Sequence, residues 1–231
     1  MSDIGLDAAV VLVGRGRYQD PWHDDAATGH VVADLLATQG IGSVVRGVAP
    51  AALVDVDRPR LLVVIAGSGR IDPAWDGDDE AWRSFHRRLH GLVSMEGVPL
   101  LALHQSANTF TDHAAWTDLI GGRWVPGAST HPPIGDAVFR PVEGEDHPVV
   151  WGLGPVTAFD ERYCALQPAP GSRILLTTEL EGVEHPVGWQ APGPGRVLYD
   201  ALGHDVRSYA SASRRELLLR EIRWLEASPG G

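Results

Sequence analysis

Residues 98–112 read VPLLALHQSANTFTD, an apolar run that stops abruptly at a cluster of polar side chains. A short apolar run without alternation is typical of a strand that is buried on both faces, as in a parallel sheet. The polar cluster begins at His104, Gln105 and Ser106 and extends to Asn108. In open α/β sheets, ligands bind beyond the carboxyl ends of the strands. The stretch therefore predicts a central strand with a ligand site at its end.

The sequence on either side of this stretch alternates between apolar strands and helices. Residues 195–205 read GRVLYDALGHD, which repeats the pattern of an apolar strand that ends in glycine and histidine. Such alternation predicts right-handed βαβ crossovers and a mainly parallel sheet in an α/β fold. The predicted strands lie within 8–16, 42–48, 61–67, 98–103 and 195–200, and the predicted helices lie within 23–40, 80–97 and 213–227.

The segment at about 123–190 differs in composition from the rest of the chain, with short apolar runs separated by many prolines and glycines. Runs such as AVFRPV and RILLTT suit either a loop-rich insertion or an antiparallel extension of the sheet. The sequence contains no internal repeat and no low-complexity linker. We therefore expect a single domain over residues 1–231, with the loop-rich segment as part of it.

Composition and charge exclude several classes of partner. The 231 residues include 19 Lys and Arg against 30 Asp and Glu, and the net charge of −11 makes nucleic acid or an anionic membrane surface an unsuitable partner. Cys164 is the sole cysteine, which rules out an intramolecular disulfide and a cysteine metal cluster. No segment has the length of a membrane helix, and the first 20 residues lack a basic region before their apolar run. We expect a cytoplasmic protein.

Four histidines lie where the chain is predicted to change direction: His23, His104, His131 and His204. His23, His104 and His204 follow predicted parallel strands, so their side chains are expected to meet in one cleft. A lone histidine is more often a hydrogen-bonded structural residue, and the clustering at strand ends is what favours a functional role here. His86 and His90 have the spacing of metal ligands on a helix, but the intervening arginines favour a solvent-exposed basic face.

The segment FDERY adds two adjacent carboxylates, Asp160 and Glu161. Paired carboxylates serve as general acid and base or as metal ligands, although a salt bridge to a nearby arginine is the alternative. Trp189, and Trp22 beside His23, offer the aromatic faces on which sugar rings stack, although core packing is the alternative for Trp189 as for Trp151. No phosphate-binding glycine motif and no GxSxG pattern is present, so neither a nucleotide site nor a serine hydrolase is indicated.

Six motifs in order resemble the ThuA-like, trehalose-utilisation family over nearly the whole chain. They are WHDDAATGHVVADLL (22–36), LLALHQSANTF (100–110), LIGGRWVPGASTHPP (119–133), HPVVWGLGPVTAFDERY (147–163), HPVGW (185–189) and GPGRVLYDALGHD (193–205). The resemblance implies a flavodoxin-like three-layer α/β sandwich, similar to class I glutamine amidotransferases. In those enzymes a nucleophilic cysteine follows the central strand, whereas LHQSAN stands here, so glutaminase chemistry is not expected.

The resemblance also implies a role in the breakdown of trehalose or a related disaccharide, after a partner sugar dehydrogenase has produced a 3-keto derivative. We expect acid/base chemistry on such a keto-sugar or glycoside, by a hydrolase, lyase or isomerase. The predicted catalytic residues are His104, Glu161 and His204. The predicted substrate-binding residues are His23, Gln105, Asn108, His131, Asp160 and Trp189.

Two other functions remain open at this level. One is a non-catalytic sugar-binding or regulatory protein, and the other is a metal-dependent hydrolase of a different small substrate. Several imidazoles with a carboxylate match the preferences of zinc, although no ligand spacing requires a metal. A saccharide is the expected ligand of both the keto-sugar enzyme and the sugar-binding protein. A homodimer is expected from base rates alone.

Overall fold

The computed structural model describes residues 7–71, 74 and 76–227 of the chain. The strands are β1 (Ala8–Val13), β2 (Gly42–Gly47), β3 (Leu61–Ile65), β4 (Leu100–Leu103), β5 (Gly122–Arg123), β6 (Gly135–Pro141), β7 (Val156–Asp160), β8 (Gln167–Pro168), β9 (Arg173–Leu180), β10 (Val183–Gln190) and β11 (Val197–Asp200). The α-helices are α1 (Asp25–Thr38), α2 (Asp79–Ser94), α3 (Ala115–Ile120) and α4 (Ala212–Glu226), and 3-10 turns lie at Gly16–Tyr18, His104–Asn108 and Ser208–Ala210.

Nine strands among these residues form one sheet in the order β2-β1-β3-β4-β11-β10-β9-β6-β7. The neighbours from β2 to β11 pair in parallel. Every residue of β3, β4 and β11 is buried. Because successive side chains of a strand point to opposite faces, both faces of this half must be covered, which is why its strands are continuously apolar. The predicted α/β architecture, with parallel strands from β2 to β11, is confirmed.

The other half of the sheet is antiparallel. β10 pairs with β11, β9 with β10, β6 with β9 and β7 with β6, each in the antiparallel sense. In β6, buried Ala137 and Phe139 alternate with exposed Asp136 and Val138, as expected for a sheet with one solvated face. The runs AVFRPV and RILLTT thus belong to an antiparallel extension of the main sheet. The carboxyl end of β7 lies beside the 3-10 turn that follows β11.

The predicted exposed face at His86 is wrong. His86 is only 4% exposed and lies on the inner side of α2, where it contacts the rings of Phe85 and Phe110. Arg87 does lie at the surface, so the arginines mark one face of the helix and His86 the other. Across the described ranges, no helix has both the length and the hydropathy to cross a membrane.

Candidate active site

Three histidines meet beyond the carboxyl ends of the parallel strands. His23 lies between β1 and α1, His104 follows β4 directly, and His204 follows β11. The ring centroid of His23 is 5.0 Å from that of His104 and 4.2 Å from that of His204. The convergence follows from topology, because β1, β4 and β11 run in the same direction and end at the same edge.

His104 has an unusual backbone conformation. Its φ is +48°, in the left-handed region that residues with a side chain rarely adopt, at the turn from β4 into a 3-10 helix. Two hydrogen bonds hold it there: Nδ1 lies 2.7 Å from the carbonyl oxygen of Ala201, and the Tyr199 hydroxyl donates to the His104 carbonyl at 2.8 Å. A carbonyl can only accept, so Nδ1 carries the proton. In the neutral ring, the Nε2 lone pair therefore faces the other histidines.

Asp20 holds His23 in a similar way. The Nδ1 of His23 lies 2.7 Å from Asp20 Oδ1, and the Gln105 amide donates to Asp20 Oδ2 at 2.5 Å. Burial opposes ionisation of Asp20, but the hydrogen bonds from His23 and Gln105 lower its pKa to about 2. Gly67 makes room for this arrangement, since a Cβ at that position would overlap the Gln105 amide oxygen. Asp20 is thus a fixed anion that orients His23.

Glu161 joins the histidines from the antiparallel half of the sheet. Its Oε2 lies 3.5 Å from His104 Nε2 and 3.4 Å from His204 Nδ1, while Oε1 lies 3.4 Å from His131 Nδ1. Burial opposes ionisation, but the interactions with His104 and His204 hold the pKa of Glu161 well below its usual range. We call His23, His104, Glu161 and His204 the site cluster.

Burial lowers the pKa of both His104 and His23, but the net shifts of the two histidines have opposite directions. For His104, burial alone would lower the pKa, yet the Glu161 carboxylate 3.5 Å away and the charge of Asp160 raise it overall. For His23, burial lowers the pKa and outweighs the opposite effect of Asp20. The two carboxylates Glu161 and Asp160 together outweigh burial at His104, whereas Asp20 does not outweigh it at His23, so His104 is the imidazole that favours a positive charge.

A cavity of about 580 Å³ opens above the site cluster, which is within the range of small-molecule sites. Trp22 stands at its edge with 76% of its surface exposed. An exposed indole at the margin of a polar cavity is a suitable stacking surface for a sugar ring. The lining residues are Asp20, Trp22, His23, Gln105, Asn108, Trp124, His131, Ile134, Glu161, Tyr163 and His204.

The structure brings together most of the residues selected from the sequence. His23, Gln105, Asn108, His131, Glu161 and His204 line the cavity. His104 lies directly beneath it, 2% exposed, and contacts His23 through the two Nε2 atoms at 3.1 Å.

Trp189 and Asp160 lie elsewhere than expected. Trp189 is fully buried, donates its indole N–H to the Ile120 carbonyl at 2.8 Å and packs on Tyr199, so it cannot stack on a ligand. Asp160 is 1% exposed and does not line the cavity. It accepts hydrogen bonds from the backbone N–H groups of Gly203 at 2.7 Å and His204 at 3.1 Å. Asp160 therefore fixes the loop that carries His204 and does not contact ligand.

Four cavity residues were neither predicted as site residues nor considered as stacking surfaces: Asp20, Trp124, Ile134 and Tyr163. The Tyr163 hydroxyl lies 3.0 Å from His104 Nε2, although 59 residues separate the two in sequence. Asp20 was recognisable in principle, because a carboxylate three residues before a histidine can orient its ring. No local pattern marks Trp124 or Tyr163 as facing the cavity.

The donor set of the site cluster can hold a metal ion. Each of the four residues offers one ligand atom, and these atoms all lie within 4.8 Å of one another. Imidazole nitrogen and carboxylate oxygen are ligands typical of zinc and neighbouring transition metals.

Solved structures place the fold in a known class. A glutamine amidotransferase from Thermotoga maritima matches with a TM-score of 0.57 and 10% identity, over 96% of this chain and 99% of that one. The flavodoxin-like, class I glutamine amidotransferase-like fold expected from the motifs is therefore confirmed. At the turn after β4, this chain has His104.

The chain belongs to the ThuA family, described as trehalose utilisation, whose model matches residues 11–225. A ThuA-like protein from Parabacteroides merdae matches with a TM-score of 0.68 and 18% identity, over 95% of this chain and 90% of that one. Another from Bacteroides uniformis matches with a TM-score of 0.64 and 14% identity, over 94% and 91%. A comparison with curated proteins finds no match. Membership of this family supports a role in carbohydrate utilisation.

Proposed function

We propose that the protein is a carbohydrate-processing enzyme that cleaves a 3-keto glycoside, such as 3-keto-trehalose, after removing a proton next to the carbonyl group. The observation that carries the proposal is the 580 Å³ cavity with the site cluster at its floor and Trp22 at its edge. Family membership supports a sugar as substrate. A sugar dehydrogenase would supply the oxidised sugar.

The keto group makes this chemistry accessible to side chains alone. A carbonyl at C3 acidifies the C–H bond at C2, and removal of that proton places negative charge on the carbonyl oxygen. The electron pair then returns to form the C1–C2 double bond, and the C1–O bond to the second sugar breaks. The departing oxygen takes up a proton, so the products are an unsaturated keto-sugar and a free sugar.

His131 and Glu161 are suited to the proton transfer. His131 Nδ1 lies 3.0 Å from the Pro132 carbonyl and 3.4 Å from Glu161 Oε1, which leaves Nε2 as the acceptor atom of the neutral ring. Its side chain is 39% exposed and lines the cavity, so a substrate can reach it. The Glu161 carboxylate stabilises the imidazolium that forms, as in other carboxylate–histidine pairs.

The floor of the cavity is suited to the carbonyl oxygen. The imidazoles of the site cluster lie at this floor, where a positive charge would stabilise the oxyanion, and the Tyr163 hydroxyl supports His104 by donating to Nε2 at 3.0 Å. The Asn108 amide offers a donor and an acceptor to sugar hydroxyls, and Gln105 lines the cavity beside it. Trp22 provides the apolar face for one ring.

Proton NMR in D2O tests the proposal with 3-keto-trehalose and, separately, with trehalose. We expect the C2 proton signal of the keto-sugar to disappear and product signals to grow, with no change in trehalose. His131→Asn should slow both processes by about 10²-fold or more, since a general base contributes about 10²–10⁴. His30→Ala, at an exposed position on α1, is the matched histidine control and should behave as wild type.

Two results would contradict the proposal. Saturable line broadening of the keto-sugar without exchange or product would favour a sugar-binding protein. Unchanged spectra for both sugars would mean that the substrate is of another kind.

A further inference from the structure

We infer that the site cluster is a binding site for one divalent transition-metal ion, with His23 Nε2, His104 Nε2, His204 Nδ1 and Glu161 Oε2 as ligands. The site is defined by the geometry of its donors, so it does not depend on the identity of the substrate. The catalytic role of the ion rests on the proposed function.

Hydrogen bonds outside the cluster set the tautomers of two histidines. His23 and His104 each use Nδ1 as a donor, to Asp20 at 2.7 Å and to the Ala201 carbonyl at 2.7 Å. In their neutral forms both therefore present an Nε2 lone pair, and these two atoms lie 3.1 Å apart. Two lone pairs at that distance repel each other unless a proton or a cation lies between them. The Tyr163 hydroxyl lies 3.0 Å from His104 Nε2, and a bound ion would replace it as the partner of that atom. In metal sites, ligating histidines commonly donate their other ring N–H to a carboxylate or a backbone carbonyl, as His23 and His104 do here.

The separations match the edges of a zinc coordination shell. Zinc binds histidine nitrogen and carboxylate oxygen at about 2.0–2.1 Å in a tetrahedron, which gives ligand–ligand edges of about 3.3–3.4 Å. The observed edges are 3.1 Å from His23 Nε2 to His104 Nε2, 3.5 Å from His104 Nε2 to Glu161 Oε2 and 3.4 Å from Glu161 Oε2 to His204 Nδ1. The remaining pairs lie within 4.8 Å, so small side-chain movements complete the tetrahedron.

Two of the four donor atoms are buried without a hydrogen-bond partner, namely Glu161 Oε2 and His204 Nδ1. The side chains of Glu161 and His204 are only 9% and 10% exposed, so hydrogen bonds from water replace the missing partners poorly. Leaving a buried charged oxygen without a partner is costly. A cation at the centre of the cluster satisfies both atoms at once.

The donor set also indicates the class of ion. Three imidazoles with one carboxylate suit zinc and its transition-metal neighbours better than magnesium or calcium, which prefer oxygen ligands. The cluster forms the floor of the open cavity, so a ligand oxygen can approach as a fifth ligand. In the proposed reaction, the ion would stabilise the negative charge on the sugar carbonyl oxygen.

Isothermal titration of zinc chloride into the full chain, without a histidine tag and stripped with a chelator, tests the site in the absence of sugar. We expect one equivalent to bind with sub-micromolar affinity. His23→Gln, His204→Gln and Glu161→Gln should each weaken binding at least tenfold, whereas His30→Ala should bind as wild type. Cobalt chloride should give the visible absorption bands of a low-symmetry site in wild type and lose them in the three variants.

Thermal melts establish that each variant is folded, and any one folded variant suffices for the comparison. The inference is overturned if stripped wild-type protein takes up no zinc in the micromolar range, or if folded ligand variants bind zinc as tightly as wild type. Because no sugar is present, a failure here is distinct from a failure of the keto-sugar proposal. Zinc binding without any reaction of the keto-sugar would overturn only the latter.

Discussion

The site cluster differs in what surrounds its imidazoles from a second group of histidines, His86 and His113, of which His86 is buried. In the second group, His86 stacks on His113 at 4.6 Å and contacts the Tyr18 hydroxyl at 3.0 Å, among the rings of Trp82, Phe85 and Phe110. Its nearest carboxylate oxygen, on Asp112, is 3.8 Å away. Burial lowers the pKa of His86 to about 4, so the ring is neutral.

The contrast shows what converts buried histidines into a site. In the aromatic group, rings fill the space around the imidazole, and the histidine contributes packing. In the site cluster, a carboxylate lies within 3.5 Å of two imidazoles, and a cavity opens above them. We expect substitutions in the two groups to have opposite effects on activity and stability.

The largest expected effect is on turnover, from Glu161→Gln. The change removes the negative charge shared by His104, His131 and His204 and should lower kcat on 3-keto-trehalose by about 10²–10³, equivalent to about 3–4 kcal/mol. Steady-state kinetics measure the loss, and urea denaturation should show a stability within about 1 kcal/mol of wild type. A folded variant with nearly full kcat would show that the carboxylate is not part of the machinery.

His86→Ala should show the reverse behaviour. Removing a buried ring from an aromatic cluster leaves a cavity, so the free energy of unfolding should fall by about 2–4 kcal/mol. At a temperature where the variant is folded, kcat should equal that of wild type. Loss of turnover with unchanged stability would mean that the aromatic group takes part in function and that the comparison is wrong.

Acid should destabilise the protein through the neutral histidines. Burial lowers the pKa of His86 and of His147, which packs on Trp224, to about 4, whereas an unfolded histidine titrates near 6.5. Between these values the unfolded chain binds more protons, so stability is complete above pH 6.5 and falls towards pH 4. We expect a loss on the order of 2 kcal/mol per histidine.

Carboxylates also titrate near pH 4, so the contribution of His86 has to be measured as the difference in stability between wild type and a variant that lacks the imidazole. Urea denaturation of wild type and His86→Phe between pH 7 and 4 should show a shallower decline in the variant, because its ring cannot take up a proton. Parallel curves would show that His86 does not contribute to the acid sensitivity.

The smallest effect is expected at the edge of the cavity. Trp22→Ala removes an exposed ring and should raise KM for the keto-sugar about three- to tenfold, equivalent to about 1 kcal/mol, with kcat and stability nearly unchanged. Trp151→Ala, at a position 70% exposed that does not line the cavity, is the matched control. Equal KM values for both variants and wild type would remove Trp22 from the binding site.

Much of the fold was accessible to prediction because its signals are local. The continuous apolar runs of β3 and β4 indicate strands covered on both faces, and the helical spacing in α1 and α4 indicates the crossovers. The meeting of His23, His104 and His204 also follows, since parallel strands that cross over in the same sense end at one edge. Side-chain direction was less accessible: Trp189 belongs to the core and Trp22 to the cavity, although both stand in polar, turn-rich surroundings.

The sequence by itself determined the α/β class and the parallel order of the strands near His104. These depend on apolar periodicity and chain direction, which can be read directly from a sequence. Only the tertiary structure decided that Glu161, His131 and Tyr163 face the histidines. Their positions depend on how the antiparallel half packs against the loop after β11, where Asp160 accepts hydrogen bonds from Gly203 and Ser208. Such contacts join residues more than 40 positions apart, and no local pattern specifies them.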